Sequence, residues 1–94
     1  VFILTLRFAD KAKAPHFMDG HNAWIKRGFE EGVFLLAGSL QPNAGGAILA
    51  HNISRTDLEA RIQEDPFVTE GVVSADILEI APGRVDDRLA FLKA

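Results

Sequence analysis

Residues 33–53, VFLLAGSLQPNAGGAILAHNI, decide the fold. Val33 to Leu40 and Gly46 to Ile53 are two runs rich in branched and apolar residues, as strands are. Gln41-Pro42-Asn43-Ala44-Gly45 between them carries the proline and glycine of a hairpin connection. Upstream, from Pro15 to Gly32, the hydrophobic period changes. Phe17, Met18, His21, Trp24, Ile25, Gly28 and Phe29 fall on one arc of a helical wheel, with His16, Asp19, Ala23, Lys26, Arg27 and Glu30 opposite. This is an amphipathic helix with Gly32 placed to close it. Downstream, Ser54 followed by Asp57 has the pattern of a helix N-cap with an acidic first turn, and Leu58 and Ile62 give a short apolar stripe. That helix must stop by Asp65, because Pro66 disfavours helical geometry in the residue before it.

Two outer strands complete the pattern. Val1 to Phe8 runs into a turn at Ala9-Asp10-Lys11, and Gly71 to Ile80 ends at Pro82-Gly83. The order β-α-β-β-α-β predicts an α+β, ferredoxin-like plan: a four-stranded antiparallel sheet with two helices on one face. A tail from Arg84 to Ala94 has Val85, Leu89 and Leu92 at the spacing of one or two helical turns.

In such a sheet the strands should alternate between a buried and a wet face. They do so poorly. Phe2, Leu4, Leu6 and Phe8 share one face of the first strand, yet Val1 and Ile3 begin the other. Val33 to Ala37 is apolar on both sides, and Ile48 and Leu49 repeat the habit. Two helices cover one face only, so either apolar surface stays exposed or a second copy covers it, sheet to sheet. The expectation is a homodimer in the form of a dimeric α+β barrel.

Length and composition agree with this. Ninety-four residues, 48% hydrophobic and 24% charged, make one globular domain, residues 1–94, with a core in 1–82 and an extension at 83–94. With no cysteine there is neither a disulfide staple nor a thiolate metal ligand, which again favours burial through a partner. A net charge of −3 without a basic block argues against a nucleic-acid partner. The run Val1-Phe2-Ile3-Leu4 is too short to span a bilayer or form a signal-peptide core, so a cytoplasmic protein without a membrane partner is expected.

Two residues stand out chemically. His21 lies in the middle of the apolar arc, where its ring either stays neutral and bonds a backbone carbonyl or serves as a general acid or base in a pocket between helix and sheet. Asp65, at the C-terminal end of a helix, faces the unfavourable end of the helix dipole. Either Asp-Pro simply opens a turn, or the carboxylate fixes the tautomer of His21. Helices packed on the same sheet face make that encounter feasible. Three histidines without a close pair or an acidic cluster make no metal signature, and Gly45-Gly46 lacks the spacing of a phosphate loop, so no metal and no cofactor is expected. Ser39, near a strand end, is placed to donate a hydrogen bond into a pocket. Arg7, on the face opposite Phe8, would hold an anion or sit at a subunit contact. Trp24 and Phe67 read as core or pocket wall.

Together these landmarks resemble the YCII-related family of small dimeric α+β barrel proteins. The likeness runs from Val1 to about Pro82: the opening strand, His21 with Trp24 three residues on, Gly32-Val33-Phe34-Leu35-Leu36-Ala37-Gly38, Gly45-Gly46, Ser54, and Asp65-Pro66-Phe67 with Gly71 after it. The resemblance implies an active site made by His21 and Asp65. Some related proteins act on ring compounds, including by dehydrochlorination, and the wider barrel group includes muconolactone isomerase-like enzymes. Two positions depart from a common family form. Met18 stands where many members have an arginine, which removes a cation suited to a substrate carboxylate, and Ser39 replaces a frequent proline. The expected protein is a cofactor-independent lyase or isomerase for a small cyclic substrate, with Phe17, Met18, Trp24, Ser39, Phe67 and Arg7 around the His21/Asp65 pair. The alternative is a non-catalytic binding or sensing dimer that uses the same pocket.

Overall fold

The computed structural model describes residues 1–93 of the chain. Four strands, β1 (Phe2–Phe8), β2 (Phe34–Leu40), β3 (Gly45–Ala50) and β4 (Val73–Glu79), form one sheet in the order β2-β3-β1-β4, every neighbouring pair antiparallel. Three helices, α1 (Ala14–Glu30), α2 (Arg55–Ile62) and α3 (Pro66–Thr69), lie between strands along the chain. Both connections through helices start from a central strand, β1 or β3, and return to an edge strand, β2 or β4, as the ferredoxin-like plan requires, so the expected fold is the observed one. A 3-10 segment, Asp87–Lys93, follows β4 and supplies helical turns of the kind expected in the tail, with a kink where Leu89 leaves helical geometry. Among the described residues, no helix is long and apolar enough to cross a membrane.

Local chemistry explains the element ends. Pro15 sits in the first turn of α1, where its missing N–H costs nothing. Gly32, at φ 74°, ends that helix in a Schellman motif: its own N–H donates to Phe29 O at 3.1 Å, and the Val33 N–H donates to Gly28 O at 2.9 Å. Ser54 caps α2 by accepting from the Asp57 N–H at 3.1 Å.

The core fills the space between helices and sheet. Phe2, Leu4 and Leu6 of β1 lie opposite Ala50, Ile48 and Gly46 of β3, and residues directly opposite share a face. Trp24, Leu58 and Val72, all without exposed surface, cover that face. Trp24 ties α1 to α2 by donating its indole N–H to Arg61 O at 2.9 Å, a carbonyl in the last turn of α2 that also accepts from the Glu64 N–H at 3.0 Å. Close approach of α1 to the sheet needs Gly28, since a Cβ there would stand 2.0 Å from the Phe34 ring.

One irregularity shifts β2 relative to its neighbour. Phe34 pairs with Ala50 and Leu36 with Leu49, leaving Leu35 as the extra residue of a bulge. The strand's parity therefore changes. Ala37 and Ser39, opposite Ile48 and Gly46, come onto the helix-covered face, while Leu36 turns to the other. That other face carries Ile3, Leu49, Leu36 and Leu78, the last two 63% and 59% exposed.

Candidate functional site

Among the described residues Asp65 is the one buried charged side chain, and what surrounds it defines the site. α2 stops at Ile62, so Asp65 is no longer helical. It adopts an extended backbone (φ −80°, ψ 118°) and becomes the N-cap of α3, its Oδ1 accepting from the Phe67 N–H at 3.0 Å. The expectation of a carboxylate at the negative end of a helix dipole is thereby corrected. Pro66 breaks one helix and begins the next, so the carboxylate stands at the favourable end of α3.

The same carboxylate meets His21. Nδ1 lies 2.9 Å from Oδ1 and 3.1 Å from Oδ2. Because a carboxylate only accepts, Nδ1 carries a proton, and in the neutral ring that leaves the lone pair on Nε2. The Phe67 ring lies flat against the imidazole, centroids 3.9 Å apart and planes 3° from parallel. Position and plane of the ring are both set, the first by Asp65 and the second by Phe67. α1 and α3 can come this close because residue 20 is glycine: a Cβ there would stand 2.9 Å from Pro66 Cγ.

His21 borders a cleft of about 480 Å³ between α1 and the sheet, within the range of small-molecule sites. Met18, Asn22, Ile25 and Phe29 of α1 form one wall, Phe67 another, and Ser39 and Gly46 belong to the floor. The His21 side chain is 12% exposed. Among the described residues Nε2 has no partner, and no side-chain nitrogen or oxygen of a covered residue is sealed off without one, so Nε2 is open to the cleft. The lining contains no lysine, arginine, aspartate or glutamate. Such a site can move a proton at Nε2 while the Asp65 carboxylate steadies the charge that appears on the ring.

The structure divides the expected site residues. Met18, Ser39 and Phe67 border the cleft with His21, and Asp65 stands behind it. Trp24, expected as a wall, is wholly buried toward α2. Phe17 packs against the core outside the cleft lining, and Arg7 projects from the opposite face of the sheet, exposed. Asn22 and Gly46 were not anticipated. Asn22 follows Met18 by four residues and so shares its helical stripe, a signal present in the sequence but masked by its polarity.

Fold and site together define a ferredoxin-like α+β protein with a carboxylate-held histidine at a mostly apolar cleft. Among solved structures, the chain is similar to 5-chloro-2-hydroxyhydroquinone dehydrochlorinase (TftG) from Burkholderia phenoliruptrix AC1100, in complex with 2,5-dihydroxybenzoquinone: TM-score 0.63, 13% identity, 88% of this chain and 96% of that chain covered. At that identity the likeness is one of fold. No protein-family model matches the chain. No curated protein matches it.

Proposed function

We propose that the protein is a cofactor-independent lyase or isomerase of the YCII-related type, acting in the cytoplasm on a small cyclic organic compound. The observation that carries this reading is the single one of His21 Nδ1 held by buried Asp65, with Nε2 open to an apolar cleft. Nε2 takes a proton from a C–H or O–H bond of the substrate. In a lyase the freed electron pair becomes a double bond as a leaving group such as chloride departs. In an isomerase the imidazolium returns the proton to another atom of the same ring. The fold neighbour, a dehydrochlorinase of a chlorinated hydroxyhydroquinone, supports ring compounds as the first substrates to try. The apolar open face of the sheet supports a homodimer formed sheet to sheet.

The test is a thermal-shift screen of hydroquinones, quinones and their halogenated forms, 2,5-dihydroxybenzoquinone among them, followed by product analysis for each compound that raises Tm. His21→Ala should retain the fold and lose turnover by about 10²–10⁴-fold, the usual contribution of a positioned acid-base group. Turnover unchanged in His21→Ala overturns the assignment. Ligand binding without any product, in the wild type and across the series, identifies a binding or sensing protein instead.

A further inference from the structure

Gly45 and Gly46 are adjacent, yet only one of them is explained by the fold. Gly45 has φ 133°, and a Cβ on it would stand 1.9 Å from the Leu6 carbonyl oxygen, so the backbone itself demands glycine. Gly46 has no positive φ, and a Cβ there meets just one atom within 4 Å, the Gly38 carbonyl oxygen at 3.3 Å. Backbone strain does not require a glycine at this position, and a Cβ needs the Gly38 carbonyl to give by only a few tenths of an ångström. A glycine inside a strand nevertheless weakens it, by roughly 0.5–1 kcal/mol relative to alanine, and often marks the close approach of a ligand.

The register says where the missing side chain would go. Gly46 lies opposite Leu6 on one side and Ser39 on the other, on the helix-covered face of the sheet. Along β3 the same face carries Ile48 and Ala50, both buried in the core. At Gly46 the row of side chains is interrupted, and the space left belongs to the cleft bordered by His21 and Phe67.

We propose that Gly46 is a specificity-determining residue: its bare backbone is the seat on which the flat ring of the substrate lies, and the residue size at this position sets how large a ring the cleft accepts. Ser39, beside the seat, offers a hydroxyl to a polar group on the ring's edge. This rests on the reading of the cleft as a substrate site but not on which step His21 performs.

The experiment uses phenol and 2-naphthol as probes, titrated into the 15N-labelled protein and followed by the backbone amides of Gly46 and Ser39. Both probes should shift these amides in the wild type. Gly46→Val should keep the sheet, read from its amide spectrum, yet weaken 2-naphthol at least tenfold and phenol less; Gly46→Ala should fall between. Equal affinity for 2-naphthol in wild type and Gly46→Val overturns the proposal, as does the absence of shifts at these amides in the wild type. Failure of both variants to fold also overturns it, because the space above Gly46 would then not be free. The probes read binding alone, so equal affinity in Gly46→Val overturns the seat and leaves the role of His21 standing, whereas unchanged turnover in His21→Ala overturns that role and leaves the seat standing.

Discussion

Asp65→Asn changes one atom of a wholly buried group, and its consequences can be worked out bond by bond. The amide oxygen can still accept from the Phe67 N–H, 3.0 Å away in the wild type, so the cap of α3 survives. The amide nitrogen takes the place of Oδ2, 3.1 Å from Nδ1, and can only donate, while Oδ1 at 2.9 Å still accepts. Its hydrogen bond to Nδ1 forms only when the ring proton sits on Nε2, so the tautomer balance shifts toward Nε2 and away from a lone pair on that nitrogen. A charge-assisted hydrogen bond is worth about 1.5–3 kcal/mol, and the loss is partly offset because a buried charge no longer has to be desolvated. A net cost of about 1–2 kcal/mol follows, which at roughly 4–8 °C per kcal/mol for a domain of this size lowers Tm by about 4–16 °C. The variant therefore folds while its tautomer balance moves toward the other nitrogen. Imidazole 15N resonances, recorded at a pH where the ring is neutral, read the tautomer directly. In the wild type Nδ1 should be the protonated nitrogen, and in Asp65→Asn the balance should move toward Nε2. A wild-type ring protonated at Nε2, or a tautomer unchanged by the substitution, refutes the reasoning irrespective of any substrate.

Three further outcomes are expected. Gly28→Ala gains about 1 kcal/mol of helix propensity but drives a methyl into the Phe34 ring, 2.0 Å from the nearest carbon, so overpacking wins and thermal denaturation should show a lower Tm. Trp24→Phe removes the donor to Arg61 O and leaves a void between α1 and α2, at a cost of about 2–3 kcal/mol measurable by urea denaturation, with the helical circular dichroism signal kept. Sedimentation at micromolar concentration should show a dimer for the wild type and a monomer for the double variant Leu36→Glu, Leu78→Glu; a wild-type monomer, or a dimer in both, counts against sheet-to-sheet pairing.

The element order was legible because each element announces itself locally: the wheel of α1, the serine at the start of α2, the proline and glycine between β2 and β3. The juxtaposition of His21 and Asp65 was legible only as a possibility, since nothing local to either residue encodes a contact between positions 44 residues apart. Other features were hidden for identifiable reasons. Val33 to Ala37 is apolar at every position, so its pattern cannot reveal the bulge at Leu35, and with it the turn of Ser39 into the cleft. The wheel of α1 gives an apolar arc but not how neighbours divide it: Trp24 and Gly28 face the core, while Met18, Ile25 and Phe29 face the cleft. Asp65 was read against the helix before it because a proline is visible in sequence as a stop, and here it is also a start. Gly20 and Gly28 matter through the atoms they let in, Pro66 and Phe34, which lie far along the chain.

α3 is only four residues long, and the carboxylate that caps it is the one that holds the imidazole. The pairing of His21 with Asp65 therefore exists only while this single turn is wound. Each time the segment opens, His21 loses both its carboxylate and the aromatic ring behind it, since Asp65 and Phe67 depart together. The fraction of molecules with the pair formed at any instant equals the fraction with that turn closed, and amide exchange at Phe67, Val68 and Thr69 would measure it. Substitutions far from the cleft that loosen this turn should lower the share of molecules with the pair formed without altering the pair's geometry once formed.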